Sequence, residues 1–149
     1  MIIKKYLNNI IVSLLFVLIT LVLFSVYYSN TLKGNINNHI LSSEMFGVPK
    51  HLEDKEIIPL YTGKNETGWD GQFYYYISND IFNQYETSKN IDSPPYRYQR
   101  VGLSLFTNLL SKATFQTWVS PLFFFSTYFA LIFCATFVGS LIFQGLYGK

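Results

Sequence analysis

The chain has 149 residues, half of them hydrophobic and 19% aromatic, with only 13% charged residues and a net charge of +2. A soluble domain carries about a quarter charged residues, so this composition argues against a water-soluble fold and for one mainly α-helical membrane unit. The small net charge, with no basic run interleaved with aromatics, gives no sign of a nucleic-acid groove.

Residues 1–9 are short and basic, with Lys4 and Lys5. Residues 10–28 follow as an almost unbroken apolar run, about the length that crosses a hydrocarbon core as a helix. A secretory signal would carry the same positive flank. This run is longer than a signal core, however, and ends in Tyr27-Tyr28-Ser29-Asn30, which suits an interfacial belt better than a cleavage site. The expectation is an uncleaved transmembrane helix with a cytoplasmic N-terminus.

Residues 29–100 form the expected extracytoplasmic loop, which holds all nine acidic residues. Gly47, Pro49, Pro59 and Gly63 break it into short pieces, and His39 and His51 read as surface residues within it. Asn65-Glu66-Thr67 matches a glycosylation acceptor, a tripeptide too common to carry weight alone. Phe73, Tyr76, Ile77 and Ile81 recur at helical spacing and predict a helix over 71–85. A turn at 90–95 precedes a second helix starting near Pro95. It continues into residues 101–111, an apolar stretch too short to span and therefore expected as an interfacial or re-entrant helix. Residues 119–143 supply a second transmembrane helix that returns the chain to the cytoplasm. Cys134 lies within it and has no partner for a disulfide, and no Cys/His cluster has metal-ligand spacing. The basic residues Arg97, Arg100 and Lys112 precede this span and only Lys149 follows it, against the positive-inside rule.

Two clusters in the loop carry chemistry. In Trp69-Asp70-Gly71-Gln72-Phe73-Tyr74-Tyr75-Tyr76, Asp70 reads in two ways. It is a helix N-cap, or a carboxylate beside a glycine that accepts a proton from an attacking hydroxyl or binds a divalent cation. Asp80 and Asp92 would assist only if folding brings them near. In Tyr96-Arg97-Tyr98-Gln99-Arg100, the two arginines stand at i and i+3 and face the same way on a helix. Guanidinium pairs bind phosphate, and arginines at an interface also snorkel with no ligand at all. The aromatics either pack the loop or stack on sugar faces, with Gln72 a candidate contact for a sugar hydroxyl.

Together, the pattern at 69–75 and Asp92-Ser93-Pro94-Pro95-Tyr96-Arg97-Tyr98-Gln99-Arg100 resemble bacterial polytopic membrane proteins of cell-surface glycopolymer formation. These are in turn similar to GPI mannosyltransferases of the GT-C superfamily. The resemblance implies a glycosyltransferase that takes a sugar from a polyprenyl-phosphate donor to a glycan or lipid acceptor at the outer face of the plasma membrane. Asp70 is then the catalytic residue, and Arg97 and Arg100 match the group's arginine-bearing motif; from guanidinium chemistry and position, Arg97, Arg100, Gln72, Tyr74 and Tyr96 are the expected substrate contacts. No resident metal is implied beyond a divalent cation at the phosphate. Members of that group have many more spans, so the chain is expected to be the N-terminal part of a longer or split enzyme, inactive alone. A two-span protein whose outer loop binds a partner or lipid is the competing expectation.

Overall fold

The computed structural model describes residues 2–30, 32, 34–55, 57–63 and 66–147, with the backbone alone at residues 2–5 and 147. The side chains of Lys4 and Lys5, Lys149, and Asn65 of the acceptor tripeptide therefore lie outside the described residues. The described residues form five α-helices: α1 (Ile2–Asn30), α2 (Gly71–Asn79), α3 (Pro94–Gln99), α4 (Gly102–Ala113) and α5 (Pro121–Tyr147). Short 3₁₀ turns occupy Ile36–Ile40, Lys50–Lys55 and Thr87–Asn90. Among the described residues the one strand-like pairing is a single bridge between Ser43 and Tyr61.

The chain divides into two compact units, one formed by Met1–Thr31 with Phe125–Lys149 and the other by Leu32–Phe124. In the first, α1 and α5 pair antiparallel. The Asn9 amide donates to Gln144 Oε1 at 2.7 Å near one end. Near the other, the rings of Phe24 and Phe125 lie 4.1 Å apart and Phe129 closes the cluster. Away from this seam both helices expose large apolar side chains, among them Leu18, Ile19, Leu23, Ile142 and Leu146. A helix apolar all round belongs in a core or a bilayer, and both helices are long and apolar enough to cross a membrane. The second helix starts at Pro121 rather than 119, because Val119 belongs to the other unit, where it is 1% exposed.

The second unit is built around α2, which is buried on nearly every side. Tyr75 and Tyr76 join Ile40, Leu52, Ile57, Val119 and Phe124 in one cluster. Phe73 and Ile77 join Ile91 in another. Polar side chains staple the surrounding segments to the helix. Asn79 grips the backbone of Val119 from both sides, donating to its carbonyl at 3.2 Å and accepting its N–H at 2.8 Å. Asn108 donates to the Ser78 carbonyl at 2.8 Å, one of the carbonyls a helix end leaves without an intrahelical partner.

The expected helix over 71–85 ends at Asn79. Asp80 leaves the helix and its carboxylate accepts from the N–H groups of Gln84, Tyr85 and Thr87 and from Thr87 Oγ1. These bonds close residues 80–87 into a loop, and Ile81 reaches the Phe73–Ile77 cluster from that loop rather than from a helix. The continuous helix expected from Pro95 is likewise two helices, broken at Arg100 and Val101. His51 is half-buried rather than fully at the surface. Its ring stacks on Tyr85 at 4.7 Å, and both nitrogens are buried without a hydrogen-bond partner among the described residues.

Helix α4 reverses the polarity of a soluble amphipathic helix. Its buried positions are Ser104, Thr107 and Ser111, with Ser104 donating to the Tyr74 carbonyl at 2.7 Å. Its outward positions are Leu105, Phe106, Leu109 and Leu110. The helix ends with bonds from Gln116 N–H to the Ser111 carbonyl and from Phe115 N–H to the Lys112 carbonyl. That left-handed terminator usually carries glycine. Here Phe115 takes it, at φ +59° and 96% exposed.

Candidate functional site

The site starts at the N-terminal end of α2. Gly68 makes the approach, at φ +68°, where an added Cβ would lie 2.6 Å from the Leu41 carbonyl. A side chain there meets backbone as well as strain, so glycine is required. Trp69 follows, 63% exposed, its indole N–H donating to the Tyr61 hydroxyl at 2.9 Å. Asp70 then enters helical geometry at φ −52° and ψ −28° and makes no capping bond. The N-cap alternative is thereby set aside: the carboxylate turns to a partner 27 residues along the chain.

That partner is Arg97. Its two terminal nitrogens donate to the two oxygens of Asp70 at 2.7 and 2.8 Å. Nε and Nη2 donate to Asp92 at 2.7 and 3.0 Å. One guanidinium thus holds two carboxylates in paired, charge-assisted contacts. It is 7% exposed, with the rings of Phe73, Tyr96 and Tyr74 around it at 4.9, 5.5 and 5.9 Å. The carboxylates face the other way: the Asp70 side chain is 70% exposed and that of Asp92 is 38% exposed. Two acids and one base leave the cluster with a formal charge of −1.

Hydrogen bonding from Arg97 holds the Asp70 carboxyl below the usual carboxylate range, with burial opposing it and the charges of Arg97 and Arg100 adding to it. The Arg97 guanidinium is pushed up by Asp92 first and Asp70 second. Asp70 is therefore a persistent anion and a weakened base.

The sequence-predicted residues separate on this geometry. Arg97 is not available for a bidentate phosphate contact, because its donors already hold the two acids. Arg100 does not share its face. It falls at the end of α3 in non-helical geometry, exposed, with its guanidinium 4.2 Å from the Tyr96 ring. Tyr96 thus stands beneath both cations. Tyr74 is half-buried beside Arg97. Gln72 is corrected outright: it is fully buried, accepting the Ser43 N–H at 3.1 Å and donating to the Thr67 carbonyl at 2.7 Å, so no sugar hydroxyl reaches it. Of the two acids that folding might have recruited, Asp92 joins and Asp80 is enclosed by its own loop.

A divalent cation does not fit the residues present. Among the described residues no group of three His, Cys, Asp or Glu side chains converges, and both acids of the cluster are turned onto a guanidinium that already supplies the positive charge. In the sequence Gly68, with Gly71, reads only as loosening the approach to the helix; its φ and its closeness to the Leu41 carbonyl leave no mark there. Asp92 was legible only as an acid five residues before Arg97. No protein-family model matches the chain, and no curated protein or solved structure is similar to it.

Proposed function

We propose that the chain is the N-terminal portion of a membrane glycosyltransferase that moves a sugar from a polyprenyl-phosphate donor to a glycan or lipid acceptor. The observation that carries it is the Asp70–Arg97–Asp92 cluster, in which one buried guanidinium brings two separate sequence motifs to one face and leaves an anionic carboxylate open beside an exposed aromatic. Asp70 accepts a hydrogen bond from the acceptor hydroxyl. As the hydroxyl oxygen bonds the anomeric carbon and the sugar–phosphate bond breaks, its proton passes to Asp70. The grip of Arg97 lowers the basicity of Asp70, so the proton moves late, when attack has made the hydroxyl acidic. The departing phosphate takes the electron pair and meets Arg100, which no carboxylate holds among the described residues. Arg97 is a positioning residue.

In this reading α1 and α5 cross the cytoplasmic membrane, the N-terminus is cytoplasmic, and Leu32–Phe124 lies outside. Helix α4 rests in the interface: its serine and threonine face packs on α2, while its leucines and Phe115 enter lipid and Lys112 reaches the headgroups. The positive-inside conflict is eased as well, since Arg97 is neutralised twice over.

The test is transfer of labelled sugar from a polyprenyl-phosphate donor in the host membrane. Asp70→Asn in the full-length context should lower transfer by about 100-fold or more, the range of general acid–base catalysis, with insertion unchanged. Wild-type transfer would remove Asp70 from the chemistry. The second reading is a docking module with no chemistry, favoured by Phe115 at 96% and Phe82 at 77% exposure. Arg100→Lys separates the two: docking tolerates it, whereas a planar phosphate contact does not.

A further inference from the structure

At the opposite end of α2 from Asp70, about 13 Å away along a nine-residue helix, three cavities of about 200, 330 and 250 Å³ share Trp118 as a wall. The first and third also share Asn79, Tyr85 and Thr117, and the second and third share Lys55. The shared walls set the three side by side around Trp118, as lobes of one candidate groove. Pockets for drug-sized ligands run to roughly 300–1,000 Å³, so each lobe suits a single small ring and the groove suits a short chain of rings.

The walls have the chemistry of one ligand class. Tyr85, 59% exposed and stacked by His51 on one face, and half-buried Trp118, with Lys55 Nζ 5.7 Å over its ring, supply the aromatic walls. Gln84 and Gln116 carry exposed carboxamides that make no side-chain hydrogen bond among the described residues. Asn108 uses its amide N–H on Ser78 and keeps its oxygen. The acids at the groove are already satisfied, Asp80 by its loop and Asp54 by Lys55 at 2.6 Å. Behind Tyr85 lies His51, whose two buried nitrogens lack partners. Aromatic faces flanked by uncommitted amides, with no free carboxylate, match rings that present C–H groups on one face and hydroxyls at the edge.

We propose that this groove binds a saccharide chain, at a site separate from Asp70. It stands on the groove alone and survives if the Asp70 chemistry fails. The test uses the full chain in detergent with Trp69→Phe, which leaves Trp118 as the one tryptophan. Neutral hexose oligosaccharides of one to four rings are titrated while Trp118 emission is read. The expected result is a saturable emission shift, with affinity rising at least tenfold from one ring to three and falling at least tenfold in Tyr85→Ala and in Gln116→Ala. Asp70→Asn should leave the shift intact. An intact helical signal with no saturable shift for any oligosaccharide overturns the proposal, as does a shift unchanged in both groove variants.

Discussion

Two aspartates flank α2, and the protein treats them in opposite ways. At the C-terminal side Asp80 is 4% exposed, and its carboxylate accepts from three backbone N–H groups and a hydroxyl of its own loop. At the N-terminal side the Asp70 side chain is 70% exposed and rests on a guanidinium far along the chain. Asp80 is itself the fastening of its region. Asp70 is held in a region fastened by others: by Gly68 beneath the turn, Gln72 on Ser43 and Thr67, and Arg97 under its aromatic cover. A carboxylate that organises its surroundings is structural; one that its surroundings organise is free to act on something else.

The sharpest way to break this contrast is to delete each acid in turn. Asp80→Ala strands the buried N–H and hydroxyl of Thr87, at about 1–3 kcal/mol for a buried donor, and unties the part-buried N–H groups of Gln84 and Tyr85, so thermal unfolding of the purified chain should show a loss on the order of 3 kcal/mol. A small loss would put Asp80 in the same class as Asp70. Gly68→Ala should come next at about 2 kcal/mol, because a Cβ at φ +68° combines strain with a backbone clash. Arg97→Ala leaves Asp70 and Asp92 facing each other with no cation between them. Because both acids are partly solvated, its cost should be near 2 kcal/mol rather than the 3–5 kcal/mol of a fully buried pair.

Asp70→Asn should have the smallest effect on stability, below about 1 kcal/mol, as for an exposed ion pair, while having the largest effect on transfer. Its pH signature has a definite sign. The folded pKa lies below the unfolded value, so the stabilisation is complete above about pH 4 and is lost as pH falls through the folded pKa. Unfolding followed from pH 6 to pH 2 should show this acid limb in the native chain, reduced in Asp70→Asn. Identical limbs would mean that Asp70 does not feel Arg97.

The long elements were legible in the sequence. Apolar runs of this length declare themselves; the structure lengthens the first by ten residues, and starts the second two residues later and ends it four residues later. The ends of the short helices were not legible, because a side chain decided them. Helical spacing runs on through Ile81, yet Asp80 offers its loop four hydrogen bonds in place of another turn. The outward leucines of α4 appeared as an apolar stretch, but its buried Ser104, Thr107 and Ser111 could be recognised only once α2 lay beneath them. At the candidate site the two motifs were found and their relation was not. Spacing placed Arg97 and Arg100 on one face, whereas the helix stops between them and sends one inward and the other out. Gln72 read as a sugar contact because its neighbours looked functional, and burial assigned it to the backbone.

The Asn9–Gln144 bond has a practical consequence for labelling. Because α1 and α5 run in opposite directions, residues near positions 6 and 146 emerge at the same end of the pair. Complementary halves of a split fluorescent reporter, one fused near each of these positions, would lie within reach of each other and reassemble, so fluorescence would report the pairing of the two helices.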